Sequence, residues 1–524
     1  MQKISSATLA SSQPLYSVAA TRQIEQHAAA GLPPHTLMQR AGLRIARLSL
    51  ALAPHAQRIW IACGPGNNGG DGFEAAMHLQ QWGKTVVVTW TGLSAGKTTL
   101  PPDALASRER ALAAGVAMAE QPPQDFDFCI DALLGIGATL NTGRAGSARM
   151  TQWLELMQVS GMPRLAVDVP TGLNADTGQS TFSGATKSIA GGARSSAAAR
   201  IFTLSLLTLK PGLFMAQGRD CAGEVWFDDL GIDSSALPTV MPAAWLTGHD
   251  RITLPLRATA AHASHKGSFG DVAVLGGEST PASHMAGAAL LAARAALHAG
   301  AGRVYVALLG KPGATNSLTV DPTQPELMFR SPEALDLKSQ VVVCGCGGGE
   351  AVKTVLAKVL SVAPRLVLDA DALNAIAIDT QLQTLLKARH ARSHATVLTP
   401  HPLEAARLAG LGTAEVQANR LKVAEALAAQ YQAVVILKGS GTVIAAPGET
   451  SYINASGNAL LATAGTGDVL AGMVGASLGS GMGAFEAACS AVFAHGRLAD
   501  DWLAKRSGQA LVASDLARGA IGRP

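Results

Sequence analysis

Short runs of β-branched and aliphatic residues alternate along this chain with longer Ala- and Leu-rich stretches of helical character. That alternation is the signature of a parallel sheet covered by helices on both faces, an α/β fold. In the first half it predicts strands over 58–63, 85–91, 126–131 and 164–169, each followed by a glycine-containing turn and a helix. In the second half it predicts strands over 271–276, 303–307, 340–344, 365–369, 396–399 and 434–438, with a helix over 286–299. Between residues 231 and 267 the rhythm lapses into Pro, Ser, Ala and Thr, and Pro238, Pro242 and Pro255 interrupt any long helix. The boundary is therefore expected near residue 245, giving domains 1–245 and 246–524. No short-period repeat occurs in either half.

A length of 524 residues exceeds what one hydrophobic core serves, in keeping with two domains. With 48% hydrophobic and 15% charged residues, the composition is that of a compact enzyme rather than a disordered or fibrous chain. The net charge of +4 is small, and Lys and Arg are scattered without basic runs or basic–aromatic interleaving, which argues against a nucleic-acid partner. Six widely spaced cysteines without a secretory signal predict reduced thiols in a cytoplasmic protein. Cys344 and Cys346 form a Cys-x-Cys pair with no His or Cys cluster of zinc spacing nearby, and read as a buried strand end. The Ala/Gly-rich stretches 284–301 and 469–495 are broken by charges or glycines and read as helices buried against a sheet, not as membrane spans.

Candidate chemistry concentrates in two glycine-rich segments. In Ala464-Gly465-Thr466-Gly467-Asp468-Val469-Leu470-Ala471-Gly472, a glycine loop ends in an acid and opens into a helix of small apolar residues. Backbone N–H groups of Gly465, Thr466 and Gly467 can hold a migrating phosphoryl group, and Asp468 is placed to take a proton from the attacking hydroxyl. Upstream, residues 64–72 read Gly-Pro-Gly-Asn-Asn-Gly-Gly-Asp-Gly. Their glycines let the backbone approach a ligand, while Asn67, Asn68 and Asp71, with Asp131 and the Thr171 hydroxyl, offer oxygens for a hard cation. A tight strand-to-helix turn alone would need glycine but not paired amides followed by an acid. Asp131 and Asp168 end predicted strands, where ligand sites of such sheets gather. The segment 92–98 resembles a Walker A loop but has three residues between its glycines instead of four, and reads as a surface turn.

The first-half motifs, in order, are Leu37-Met38-Gln39-Arg40-Ala41-Gly42, residues 64–72, Asp131-Ala132-Leu133-Leu134-Gly135-Ile136-Gly137, residues 166–178 beginning Ala-Val-Asp-Val-Pro-Thr-Gly, and Leu209-Lys210-Pro211-Gly212-Leu213. Over residues 15–235 they resemble the NAD(P)H-hydrate epimerase domain. The resemblance implies a Rossmann-like three-layer αβα fold. It assigns potassium to Asn68, Asp131 and Thr171, and the hydrated nucleotide to Asn67, Asn68, Gly69, Gly70, Asp71, Gly135, Ile136, Gly137, Ala138, Thr139, Leu140, Asn141 and Asp168, with Asp168 as the proton-transfer group. Two departures, Phe73-Glu74 and the Ala/Ser/Gly-rich stretch 184–200, bear on loop geometry.

In the second half, residues 265–270, 286–288, 325–328, 369–373, 399–404, 438–442 and 464–472 together resemble the ADP-dependent NAD(P)H-hydrate dehydratase domain, which is ribokinase-like, over residues 250–520. By that resemblance Lys438, Gly439, Ser440, Gly441, Thr442, Gly465, Thr466 and Gly467 hold the nucleotide product, and Ala288, Gly347, His401 and Asp468 face the hydrated substrate. Where the family reads Gly-Pro-Gly-Leu-Gly, this chain has Gly345-Cys346-Gly347-Gly348-Gly349, and losing proline predicts a floppier loop. Hydroxide is a poor leaving group, so a kinase-like site that turns the hydroxyl into a phosphate permits dehydration, with magnesium on the donor phosphates. The expectation is a cytoplasmic homo-oligomer that repairs NADHX and NADPHX with ADP, the first domain interconverting epimers. A small-molecule kinase fused to a non-catalytic nucleotide-binding module is the alternative. A dehydrogenase is disfavoured, because residues 64–72 are not the Gly-x-Gly-x-x-Gly fingerprint.

Overall fold

Strand Arg58–Cys63 alternates its side chains between two cores, and the first unit is built around it. Ile59, Ile61 and Cys63 join Phe128, Ile130 and Ala132 on one face, where helices Thr36–Leu52 and Asn67–Gln81 pack Ile45, Phe73, Ala76 and Leu79. Trp60 and Ala62 join Cys129 on the other, against Met150, Trp153 and Leu154 of helix Ser147–Val159. Such alternation with burial on both faces makes a three-layer αβα sandwich. The computed structural model describes residues 1–92, 100–137, 140, 146–182, 200–233, 240–252, 261–280, 283–310 and 318–519. Segment 92–98, apart from Gly92, and stretch 184–200, apart from Arg200, thus fall outside the described residues, as do Pro238 and Pro255.

The chain divides into two units, Met1–Thr8 with Pro14–Ala244 and Leu9–Gln13 with Trp245–Pro524. In the first, the parallel strands run Ala117–Ala119, Thr85–Trp90, Arg58–Cys63, Phe128–Ala132, Arg164–Val167, Ile201–Leu206, Glu224–Asp228, with Gln2–Ile4 antiparallel at the end. This is the doubly wound Rossmann-type order, and its direction reverses between Arg58–Cys63 and Phe128–Ala132. The two strands stay paired through Cys63 and Ala132, and the connections that follow them leave in opposite directions, which opens a crevice beyond their carboxyl ends. Strand Ile201–Leu206 escapes the hydrophobic pattern because Thr203 and Ser205 interrupt it. Both are buried, bonding the carbonyls of Ala222 at 2.8 Å and Thr208 at 2.9 Å.

In the second unit the parallel order is Met328–Phe329, Arg303–Gly310, Asp271–Thr280, Val341–Cys344, Arg365–Leu368, Ala395–Leu398, Val434–Leu437, followed by antiparallel Val443–Ala445 and Tyr452–Ile453. All six strands predicted there are found with small shifts of their ends, while the short strands at the edges of the sheet are missed by the pattern. Helices Ala286–His298 and Thr466–Gly479 pack Ala289, Ala292, Ala293, Val469 and Val474 onto Val272, Val274 and Val343. Small side chains let these helices approach closely, which is how a chain with 4% aromatic residues fills its core. No described helix is long and apolar enough to cross a membrane. All six cysteines are buried and unpaired.

Residues 64–72 are not an extended loop. Helix Asn67–Gln81 starts at the first asparagine, capped by Gly66 in extended conformation. A Cβ on Gly72 would lie 2.7 Å from Ala132 Cβ and 2.8 Å from Cys63 Sγ, so this glycine serves helix-to-strand contact rather than ligand approach. Gly472 plays the same part in the second unit, where a Cβ would stand 2.0 Å from the Ala292 carbonyl oxygen. Alanine gains about 1 kcal/mol of helix propensity over glycine, but a backbone carbonyl cannot step aside. Gly472→Ala is therefore expected to destabilise by about 1–3 kcal/mol, read as a lower denaturant midpoint at unchanged m-value.

Candidate functional site

In the first unit, three strand ends converge at the reversal point. Asp131, in strand Phe128–Ala132, is buried and accepts hydrogen bonds from Thr171 N at 3.0 Å, Thr171 Oγ1 at 2.7 Å and Leu133 N at 3.3 Å. Thr171 Oγ1 in turn accepts from Leu134 N at 3.0 Å. Asp131 and Thr171 thus knit two loops together behind the cavity rather than lining it. Asn68 does line it, with its Nδ2 buried and without a hydrogen-bond partner among the described residues and its Oδ1 beside Gly135.

The cavity measures about 530 Å³ and its wall includes Asn67, Asn68, Asp71, Gly135, Gly137 and Asp168. Ile136 also faces it, whereas Leu140 packs toward the Trp60 and Trp153 core, and Gly69 and Gly70 turn their Cα atoms toward Gly64 and Met38. Ala138, Thr139 and Asn141 lie outside the described residues. The N-terminus of helix Asn67–Gln81 opens onto the cavity at Gly66, which has empty space where a Cβ would be. Free N–H groups and the helix dipole there suit an anion.

Asp168 sits in the left-handed region at φ 66°, unusual for a non-glycine residue and consistent with a functional constraint. Its carboxylate accepts from Leu206 N at 3.3 Å and from Lys210 Nζ. The sequence offered Lys210 only as part of a motif. Arg22 and Glu25 also border the cavity, from helix Val18–Ala30, and no motif marked them. Burial, then the charge of Asp168, raises the Glu25 pKa.

In the second unit the strand ends again supply the groups. Asp369, following strand Arg365–Leu368, is buried and accepts from Thr399 Oγ1 at 2.8 Å and Lys438 Nζ at 2.7 Å. Lys438 also stands 4.0 Å from Glu404 Oε2, and burial, which acts to lower its pKa, is outweighed by Asp369 and Glu404. Asp468 lies in the first turn of helix Thr466–Gly479, whose cap Gly465 is left-handed at φ 89°. Val469 N bonds Gly465 O, so the N–H groups of Gly467 and Asp468 have no backbone partner among the described residues. A Cβ on Gly467 would be 3.2 Å from Lys438 Nζ, which places that glycine at the heart of the site. Thr466 turns its hydroxyl back to Leu461 O at 2.9 Å and its carbonyl to His495 Nε2, so it holds the loop rather than facing outward.

Burial, reinforced by the charge of Asp369, pushes the Asp468 pKa up to about 7. Glu404 reaches about 7 as well, from burial and Asp369 against the opposing Lys438. Cys346 Sγ lies with carboxylate oxygens of Asp369 and Asp468 within 4.8 Å of one another, a grouping that no sequence spacing around Cys344 and Cys346 could reveal. His401 caps helix Pro402–Ala409, its Nδ1 accepting from Leu403 N at 3.1 Å and its Nε2 lying 3.2 Å from Glu404 Oε1. Ala288 and Gly347 meet, since a Cβ on Gly347 would be 2.9 Å from Ala288 Cβ. Buried Arg420 donates to the carbonyls of Lys438 at 3.1 Å and Gly441 at 3.4 Å, shaping the 438–442 turn, where Gly439 and Ser440 are exposed and Thr442 Oγ1 closes onto Gly439 O.

The loop 345–349 is pinned instead of floppy. Gly345 N bonds Leu275 O, Gly277 N bonds Cys346 O, Glu278 N bonds Gly347 O at 2.7 Å, and Gly349 N bonds Asp371 Oδ2 at 2.9 Å. Positive φ at Gly345, Gly347 and Gly349 accounts for the glycines, and tertiary bonds replace the stiffness proline would give.

The family described as YjeF-related protein N-terminus matches residues 34–212, and the family described as NAD(P)H-hydrate dehydratase matches residues 272–521. The bifunctional NAD(P)H-hydrate repair enzyme Nnr of Escherichia coli K12 is 34% identical over 511 residues, covering 93% of this chain and 88% of the relative. Its counterpart from Coxiella burnetii is 33% identical over 515 residues, covering 96% and 97%. The ADP-dependent (S)-NAD(P)H-hydrate dehydratase of Neisseria meningitidis is 43% identical over 246 residues, 46% of this chain and 79% of that protein.

The Asp468 environment carries a stability consequence. Its carboxyl binds a proton more readily folded than unfolded, where the pKa is near 3.8. The stability it contributes is full below pH 4 and lost as pH rises through about 7. Urea unfolding at pH 5 and pH 8 is expected to show a smaller loss for Asp468→Asn than for wild type, with Glu404 leaving a residual slope.

Proposed function

Because the chain belongs to the family of bifunctional NAD(P)H-hydrate repair enzymes, we propose how its residues divide the work of restoring hydrated NADH and NADPH. The first unit interconverts the two epimers of the hydrate, and the second dehydrates one of them at the expense of ADP. An epimerase complements a stereospecific dehydratase, because water adds to the nicotinamide ring from either face.

In the dehydratase unit, Asp468 takes the proton of the substrate hydroxyl as that oxygen attacks the terminal phosphoryl group of ADP. A carboxyl with pKa about 7 is basic enough for this and still ionised in good part at neutral pH. The N–H groups of Gly467 and Asp468 and the Lys438 ammonium lie where charge builds on the transferring phosphoryl group. The phosphate ester then departs as phosphate, driven by the ring-nitrogen lone pair, and AMP remains on the 438–442 turn. Magnesium fits this site as a companion of the donor phosphates and not as a resident of the protein, since the Cys346, Asp369 and Asp468 grouping offers a thiol and an aspartate already engaged by Lys438. When bound with ADP it supplies charge neutralisation on the phosphates.

In the epimerase unit, Asn68, Asp131 and Thr171 would hold potassium. All three offer hard oxygens with one negative charge between them, which suits a monovalent ion, and Asp131 and Thr171 bond each other just behind the cavity wall that Asn68 lines. The ion would supply positive charge beside the bound nucleotide. Asp168 is the proton-transfer group, and cytoplasmic location and homo-oligomeric assembly complete the reading.

The observation that carries the reading is the meeting of Asp468, its free helix N-terminus and the Lys438–Asp369 pair at one strand-end site. With mixed epimers, ADP, magnesium and potassium, the purified chain should restore the absorbance of the reduced nicotinamide completely. Asp468→Asn is expected to slow restoration on the order of 100-fold or more, the wild-type rate should rise through about pH 7, and Asp168→Asn should stop recovery once one epimer is spent. A stable phosphorylated product without restored absorbance would instead mark the second unit as a kinase.

A further inference from the structure

Two carboxyl groups on the cavity of the first unit stand in opposite settings. Asp168 is ion-paired with Lys210, which is fully buried and spends all three of its ammonium hydrogens, on Asp168, on Leu206 O at 2.8 Å and on Ser205 Oγ at 3.3 Å. Asp71 has no hydrogen bond and no ion pair among the described residues, although it borders the same cavity. It projects from the second turn of helix Asn67–Gln81, one turn beyond the asparagines at the helix head.

The charges around Asp71 are mostly negative. Glu25 and Arg22 face the cavity from helix Val18–Ala30, His35 and Asp103 pair with each other in its wall at 2.5 Å, and Asp168 and Lys210 also line it. Glu74 on the same helix is bonded to Arg110, and Cys63 lies behind on the strand. Burial first, then Asp168, Glu25, Glu74 and Asp103, hold the Asp71 carboxyl well above the usual carboxylate range. Neighbouring titratable groups whose surroundings separate them in this way make an acid and a base out of like side chains.

We propose that Asp71 is the proton donor of the epimerisation and that Lys210 is the positioning residue that fixes Asp168 as the proton acceptor. The assignment rests on the reading of the first unit as an epimerase. Water adding to the enamine of a reduced nicotinamide leaves the hydroxyl on the ring carbon bonded to nitrogen, a carbinolamine. Asp168 removes the hydroxyl proton, the O–H electron pair becomes the second bond of an aldehyde, and the carbon–nitrogen bond breaks with its pair moving to nitrogen. Nitrogen takes the proton of Asp71. The open aldehyde turns about its carbon–carbon bond and the same steps run backwards on the other face. Nitrogen's proton returns to Asp71, and the new hydroxyl regains its proton from Asp168. Nothing is oxidised, reduced or consumed.

The test uses the full chain without ADP, so that dehydration is silent, and follows interconversion of the separated epimers by chromatography. Asp71→Asn is expected to lower kcat on the order of 100-fold with KM within threefold and an unchanged unfolding midpoint, while Asp71→Glu recovers part of the rate. The wild-type rate should fall on the alkaline side, and that fall should vanish from the residual activity of Asp71→Asn. Lys210→Met should lower kcat with KM nearly unchanged, and Lys210→Arg should restore part of the rate. An Asp71→Asn rate within threefold of wild type, a change in KM alone, or a wild-type profile flat at alkaline pH would overturn the assignment. Should Asp71→Asn not fold, Asp71→Glu and the wild-type profile decide. A wild-type chain that does not interconvert the epimers at all overturns the reading of the unit, whereas an active wild type with an active Asp71→Asn overturns this assignment alone.

Discussion

Both sites depend on a helix that begins at the site and packs closely against its neighbours, a pair of strands in the first unit and a second helix in the other. Backbone can come that close only where side chains are missing, and Gly72 and Gly472 show how little room there is, with neighbouring atoms 2.7 Å and 2.0 Å from where a Cβ would stand. The glycine spacing at the head of each helix is thus set by contact with strand or helix. The N–H groups left without backbone partners at the helix heads suit an anion.

The two units also share an electrostatic arrangement. Each pairs one aspartate with a lysine, Asp168 with Lys210 and Asp369 with Lys438, and leaves a second carboxyl nearby without a directly bonded cation. Burial first, and then the neighbouring aspartate, makes the second carboxyl hold its proton more tightly, which raises the pKa of Asp71 and of Asp468.

Much of this was legible in the chain itself, because the strands that build the sites are buried on both faces and read as apolar runs, and because Asp131, Asp168 and Asp468 stand at their ends or at a helix head. What stayed hidden has physical reasons. Ile201–Leu206 is disguised by hydroxyls that satisfy themselves on nearby carbonyls. Lys210 and Glu404 matter through partners brought together by folding, 42 residues away in one case and 34 in the other. Arg22 and Glu25 reach the cavity from a helix that precedes the 34–212 match, and nothing in their spacing distinguishes them from a solvated face. The 345–349 loop misled in the other direction, since the missing proline suggested freedom that bonds to Leu275, Glu278 and Asp371 remove.

The six buried thiols have a bearing on where such a chemistry can operate. Burial pushes Cys129, Cys344 and Cys489 up to about 12 and raises Cys63, Cys221 and Cys346 as well. The thiolate is the form that oxidants and alkylating agents attack. Cys346 is the instructive case, because it stands beside Asp468, the proposed base of the second unit. Its two acidic neighbours discourage the ionisation that modification needs. The sulfur beside Asp468 is thereby held toward its protonated form, the one that oxidants and alkylating agents attack least.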